Sequence, residues 1–262
     1  MNIFVCIKQV PDTETKVIPN GDATFIETSS IKWIMNPYDE FAVEQALLLK
    51  AANAGSTVTV VRVGGVKDTE ALRTAMAMGA DESFLVEADD NLDSYMTAKA
   101  IKGAIAKSEK TPDIIFTGKQ AIDDDCLQVP QLVAQMMELP SVSVIVGFEH
   151  SGDKLTLKRE IEGGAIEVYE ATTPCLVACN KGLNTPRYAS LPGIMKAKRK
   201  PLTQLSLADV GVSEEDRRVS YSDFSLPPEK PPGKKFEAMD EAVQKDIVKE
   251  VVGLLRNEAK VI

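Results

Sequence analysis

The chain has 262 residues, 44% of them hydrophobic, enough to build a substantial buried core and to exclude an intrinsically disordered protein. Lys and Arg number 30 against 39 Asp and Glu, a formal charge of −9, which argues against a nucleic-acid ligand because that binding needs clustered cations to meet phosphates. No run reaches the roughly 18 apolar residues of a membrane span, and the opening MNIFVCIKQV lacks a secretory signal pattern, so a cytoplasmic protein without membrane insertion is expected.

Residues 2–10 read as a first strand, with the continuous apolar run Ile3 to Ile7 suited to a central parallel position. Pro11 to Ser30 reads as a β-hairpin excursion whose arms, Lys16-Val17-Ile18 and Thr24-Phe25-Ile26, flank the turn Pro19-Asn20-Gly21-Asp22. Asn36 is a candidate N-cap with Pro37 at the first helical position, opening a helix to about Asn53 with Phe41, Ala42, Ala46 and Leu49 on one face. Thr57 to Val63 is the second strand. Lys67 to Met78 reads as a helix stopped by Gly79, and Glu82 to Glu87 as the third strand. Asn91 or Asp93 caps the next helix, which carries Met96, Ala100, Ile101, Ala104 and Ile105 at helical spacing.

Asp113 to Thr117 is a further buried strand, followed by Gly118 to Val129 (GKQAIDDDCLQV) and another helical segment. The alternation of strand and helix predicts an α/β fold with a doubly wound, mostly parallel, Rossmann-like sheet. After Pro140 the rhythm changes. Ser141 to Phe148, Lys154 to Ile161, Ala165 to Glu170 and Pro174 to Ala178 read as an antiparallel extension of that sheet, with His150 in a turn and Gly163-Gly164 as a hairpin signal. Asn184 to Lys200 reads as a loop with an exposed Leu191 and a basic run. Pro201 to Asp216 reads as irregular apart from a short helix at Leu207-Ala208-Asp209, Pro227 to Gly233 as an extended linker, and Glu237 to Glu258 as a helix with Ala242, Ile247, Val251 and Leu254 along one stripe. The expected organisation is a nucleotide-binding domain over 1–200, including the loop 184–200, and a C-terminal arm over 201–262. The arm's helix docks on its own domain or on a partner chain.

In such sheets a ligand sits at the carboxyl ends of the strands, and a helix start offers free N–H groups to phosphate. Gly118 to Val129 is therefore the candidate site, with phosphate on the N–H groups of Cys126 to Val129. Asp123, Asp124 and Asp125 read as helix-start acids, with Asp123 a cap or ribose contact. They are poor metal ligands together, because neighbouring helical residues point about 100° apart. One histidine cannot supply a His-rich zinc site. The motifs G-x-S-x-G, G-x-x-x-x-G-K-[ST], H-E-x-x-H and G-x-G-x-x-G are all absent. Cys6, Cys175 and Cys179 lie in strand-like runs as small hydrophobes, and Cys126 lies in the candidate loop.

Six segments in order, KQV, MNPYDEFAVEQA, RTAMAMGAD, GKQAIDDDC, REIEGG and NTPRYASLPGIMKAKRKP, resemble the beta subunit of electron-transfer flavoproteins over nearly the whole chain. The resemblance implies a heterodimer that carries electrons from dehydrogenases, such as the acyl-CoA dehydrogenases of fatty acid oxidation, to a membrane quinone reductase. It implies no catalysis by this subunit alone. The alpha subunit would hold the redox-active FAD, and the beta subunit would bury AMP. By position the AMP site comprises Cys6, Asn36, Pro37, Tyr38, Asp39, Val63, Gly118, Lys119, Gln120, Ala121, Ile122, Asp123, Asp124, Asp125, Cys126, Leu127, Gln128 and Val129, with Tyr38 at an aromatic position facing the flavin.

Leu191, with Pro192, Ile194, Met195 and Lys196, matches the loop that anchors the dehydrogenase, backed by Lys198, Arg199 and Lys200. Leu127 and Val129 stand where AMP-binding members usually carry polar Asn and Thr. In an electron-bifurcating branch a second FAD replaces AMP, and a glycine tends to stand where this chain has Asp124. An alternative outside the family is a free-standing nucleotide-binding stress or regulatory protein.

Overall fold

The structure, a computed structural model, describes residues 1–65, 69–89, 92–230, 232–237 and 240–262, with the backbone alone at Ala242. The helix start expected at Lys67, the alternative cap Asn91 and the side chain of Ala242 lie outside the described residues. Two compact units are present, Met1–Ser225 and Leu226–Ile262.

In the first unit the chain runs β1 (Asn2–Cys6), β2 (Gln9–Pro11), β3 (Trp33–Met35), α1 (Pro37–Ala52), β4 (Thr57–Gly64), α2 (Glu70–Met78), β5 (Glu82–Glu87), α3 (Ser94–Lys107), β6 (Ile114–Gly118) and α4 (Val129–Met136). It continues through β7 (Ser141–Ser151), β8 (Lys154–Glu160), β9 (Ile166–Thr172), β10 (Cys175–Cys179), α5 (Leu191–Arg199) and β11 (Thr203–Ser206). Among the described residues nine strands form one sheet in the order β11-β5-β4-β1-β6-β10-β7-β8-β9, while β2 and β3 pair separately. The six strands from β11 to β10, and β7 against β10, pair in parallel; β7-β8-β9 is antiparallel.

Alternation along β1 divides the core. Ile3, Val5 and Ile7 join Ala42, Val43, Ala46, Leu72 and Ala75 from α1 and α2 on one face. Phe4 and Cys6 join Met96, Ile101, Ala104 and Val133 from α3 and α4 on the other. The expected doubly wound α/β sheet is therefore present, with both faces of its parallel half covered.

Local expectations fail where burial was misread. Cys175–Cys179 is not part of the antiparallel extension, because it is buried throughout and inserts between β6 and β7 parallel to both, as a continuous apolar run should. The first strand stops at Cys6. The hairpin expected before Ser30 is present in reduced form, with one antiparallel bridge among the described residues, Pro19 to Ile26, and backbone bonds from the Asn20 N–H to the Phe25 carbonyl at 2.8 Å and from the Glu27 N–H to the Ile18 carbonyl at 2.9 Å; Val17 and Ile18 are exposed. His150 lies on β7 opposite Leu155, one step before the turn. Asn184 to Lys200 is not wholly loop, for Leu191–Arg199 is helical, with Ser190 accepting from the Gly193 N–H at 3.1 Å and Pro192 in the first turn. Thr203–Ser206, within the stretch read as irregular, is an edge strand on β5.

In the second unit, α6 (Glu241–Asn257) carries Ile247, Val251 and Leu254 as its less exposed residues, and Lys234 reaches Glu250.

A candidate nucleotide crevice

The sheet order places β1 beside both β4 and β6, and the connections from β1 and β6 lead to helices on opposite faces. The carboxyl ends of β1 and β6 thus form the switch-point crevice in which doubly wound folds take their ligands. What shapes this crevice is largely one carboxylate. Asp39, third residue of α1 and buried, accepts from the Lys8 N–H at 2.7 Å and the Gly118 N–H at 2.9 Å, so that α1, the end of β1 and the end of β6 meet on one side chain. Burial pushes its carboxyl up to about 7, against the opposing pull of the two N–H groups and the Lys8 charge. Gly118 is required by space: a Cβ there would stand 2.3 Å from Asp39 Oδ1 and 2.7 Å from Tyr38 Cβ.

Asn36 occupies the N-cap position, but its side chain makes no cap bond. It reaches instead across the crevice, donating to the Gln120 carbonyl at 2.8 Å and accepting from the Ile122 N–H at 3.2 Å. The loop base is completed by the Lys119 N–H, which donates to the Cys179 carbonyl at 2.9 Å, and the Lys119 ammonium lies 5.0 Å from the centre of the Tyr38 ring. Asn36 therefore pins the loop on either side of Ala121, with Ala121 and Ile122 half-buried.

The three acids do not cap a helix. The helix begins only at Val129, Gln128 holds the cap position without a side-chain bond, and no acid lies in the first turn. Asp123 and Asp124 are both paired with the Lys8 ammonium, at 2.8 and 3.0 Å, and Asp125 accepts from Gln120. Burial opposes the Lys8 charge, but the two carboxylates outweigh it and raise the ammonium's pKa. The acids are thereby neutralised or tied down within the loop. Asp124 also accepts from the Cys126 N–H at 3.1 Å, so that donor, expected to meet phosphate, is already used. The N–H groups of Leu127, Gln128 and Val129 make no hydrogen bond within the chain among the described residues. Pro130, lacking a donor, follows them. Leu127 is held at φ 54° and is exposed, while Val129, the half-buried first residue of α4, packs against the cluster built from α3 and α4 residues.

Cys6 and Val63 contribute apolar walls at the ends of β1 and β4. Burial, with the Asp39 charge second, pushes the Cys6 thiol up to about 12, and burial raises Cys175 to about 11 and Cys179 further, so these thiols stay protonated at neutral pH. All four cysteines are free. Two groups were missed by sequence reasoning. Lys8 lies within the stretch expected as the first strand, and its ammonium instead meets Asp123 and Asp124 across the crevice. Thr117 is 4% exposed with a hydroxyl that has no hydrogen-bond partner among the described residues. A chain with unused N–H donors and an orphan hydroxyl at its switch point fits an anionic nucleotide by the chemistry of its donors.

Residues 24–210 match the family model described as the electron transfer flavoprotein domain. Over 267 aligned residues the chain is 40% identical to the electron transfer flavoprotein subunit beta of Bacillus subtilis, covering all of both chains. The chain belongs to the electron transfer flavoprotein beta-subunit family. Identity is 36% over 264 residues with the mitochondrial electron transfer flavoprotein subunit beta of Arabidopsis thaliana, again covering all of both, and 36% over 249 residues with the human subunit beta, covering 94% of this chain and 96% of that one.

This beta-family chain carries a second feature on another surface. Arg187 grips the buried Glu44 of α1 with two guanidinium bonds of 2.7 and 2.9 Å, and Asn184 donates to the Phe41 carbonyl at 3.0 Å. Ala197 is buried against Met76 and Ala77 of α2, and Arg73 donates to the carbonyls of Ala197 and Lys200 at 2.6 and 2.8 Å, closing the end of α5. So anchored, α5 presents Leu191 at 75% exposure, with Pro192, Ile194, Met195, Lys196, Lys198 and Arg199 exposed around it. Lys200 does not join the basic strip, since its ammonium reaches the Ala80 carbonyl. Among the described residues no helix is long and apolar enough to cross a membrane, and no group of three or more His, Cys, Asp or Glu side chains could hold a metal.

Proposed function

We propose that this chain is the beta subunit of a heterodimeric electron transfer flavoprotein, working in the cytoplasm, that buries AMP in the switch-point crevice as a structural ligand and catalyses nothing alone. The observation that carries the AMP reading is the set of unused N–H donors at Leu127, Gln128 and Val129, beside acids that Lys8 already neutralises in part. Cys6, Asn36, Pro37, Tyr38, Asp39, Val63 and the loop from Gly118 to Val129 would line it. A monophosphate matches that donor set, whereas the extra phosphate of a dinucleotide adds charge beside three carboxylates with one ammonium between them. Redox chemistry would be supplied by FAD held mainly by the alpha subunit. The residues of this chain orient the partner and the nucleotide.

Of the arm expected over residues 201–262, Thr203–Ser206 pairs with β5 and Val210 and Val212 are buried in the core of the first unit; the remainder, Leu226–Ile262 ending in α6, is assigned to packing on the alpha subunit. The test is nucleotide extraction from the denatured heterodimer: one FAD and one AMP are expected. Two FAD would replace this reading with the bifurcating one, and a stable lone monomer that binds ATP would point to a free-standing regulatory protein.

Leu191 is assigned the dehydrogenase anchor, with electrons passing on to a quinone reductase. Burying an exposed leucine in a partner's pocket is worth about 1.5–3 kcal/mol, so Leu191→Ala is expected to raise the KM for the dehydrogenase about tenfold or more. AMP and FAD contents should not change. Unaltered electron acceptance from every dehydrogenase tried would remove the anchor role.

A further inference from the structure

We infer that the hydroxyl of Thr117 is a direct ligand of the nucleotide's phosphate, a role that goes beyond the loop residues and rests on the AMP reading above. Strand β6 is otherwise apolar up to this point, Ile114, Ile115 and Phe116 being fully buried. Valine would fill the same volume there. Packing therefore does not ask for a hydroxyl, and a hydroxyl buried without a partner is destabilising. Thr117 nevertheless is 4% exposed, and its Oγ has no hydrogen-bond partner among the described residues.

Its position gives that group something to do. Alternation puts Thr117 on the same face as Ile115, which is the face covered by α3 and α4. Its in-register neighbours are Cys6 on β1 and Ala178 on β10, so three small side chains lie in a row at the carboxyl ends of three adjacent strands. The chain leaves β6 one residue later, at Gly118, and returns over the same face to begin α4 at Val129. The unused N–H groups of Leu127, Gln128 and Val129 lie at that start, and an eight-residue helix adds its partial positive charge behind them. An O–H donor on the floor of the crevice and N–H donors at its rim form one donor set for an oxyanion. Leu127 and Val129 cannot donate through their side chains, and Thr117 supplies from the strand the hydroxyl that the loop lacks.

The test uses the heterodimer, freed of nucleotide and titrated calorimetrically with AMP and, separately, with adenosine. Thr117→Val is expected to weaken AMP binding about tenfold, or about 1.4 kcal/mol, with adenosine binding unchanged. Thr117→Ser should keep most of the AMP affinity, and the thermal midpoint of nucleotide-free Thr117→Val should not fall below that of the unaltered protein. AMP affinity retained in Thr117→Val would overturn the inference and leave the AMP reading intact. Equal losses for AMP and adenosine would overturn the phosphate contact, and an unaltered heterodimer that binds neither compound would overturn the AMP reading itself.

Discussion

Gly118→Ala is expected to be the most damaging single-methyl change in the crevice, lowering stability by about 3 kcal/mol, at the upper end of the usual cost of overpacking. The added Cβ would meet Asp39 Oδ1 at 2.3 Å, Tyr38 Cβ at 2.7 Å and the Tyr38 backbone carbon at 2.9 Å. A flexible side chain could give way, but two of these three atoms belong to the first turn of α1 or lie directly on it. The helix start must therefore move, and with it the Asp39 carboxylate that accepts from Lys8 and Gly118 and the Asn36 side chain that holds Gln120 and Ile122. For a domain of this size about 3 kcal/mol lowers the thermal midpoint by roughly 6–12 °C, and occupancy by the proposed AMP should fall in parallel. Gly21→Ala is the control, since nothing lies within 4 Å of a Cβ at that site; it should stay within about 0.5 kcal/mol of the unaltered chain.

Asp39→Asn is expected to change the pH dependence of stability more than any other substitution in the crevice. The carboxyl is raised from 3.8 to about 7 by burial, so between those values the folded chain keeps a proton that the unfolded chain has lost. Folding is linked to proton uptake there, and stability falls as pH rises through the window. The amide variant has no such proton. Its stability relative to the unaltered chain should therefore improve from pH 4 to pH 8, by on the order of 4 kcal/mol for a shift of this size, as read from urea unfolding at a series of pH values. A flat difference across that range would show that the buried carboxyl is ionised throughout. The crevice should be loosened at every pH, because an amide turns an N–H toward either Lys8 or Gly118 where an acceptor is needed.

How far the sequence reveals this molecule depends on what each residue faces. The parallel strands β1, β4, β5 and β6 were legible because a strand covered on both sides reads as an unbroken apolar run. Cys175 to Cys179 carries the same signal, but its neighbours in sequence are hairpins, and only the fold shows that it pairs with β6 and β7 instead. Helix α5 was hidden by two prolines and a basic run that resemble a loop; Pro192 is in fact tolerated in a first turn, and Lys196, Lys198 and Arg199 suit a last one. Asn36 and Asp39 were found as site residues through the resemblance, yet their work is to tie the loop together, and cross-chain bonds of that kind leave no local pattern. The acids were misread for a related reason. Three aspartates before a helix look like caps, and only the fold brings Lys8, more than a hundred residues earlier, to meet two of them.

The insertion of β10 between β6 and β7 also governs when the crevice can exist. A chain emerging from the ribosome has produced all of residues 118–129 well before it has produced Cys179, whose carbonyl receives the Lys119 N–H. Until then β6 is an open edge and the row beneath the loop lacks Ala178. The hairpins β7 to β9 must be made in between, so the crevice closes on a contact spanning some sixty residues, the kind of distant pairing that forms late. Nascent chains halted before β10 should lack the closed crevice, so the nucleotide proposed above could be taken up only after β10 is in place.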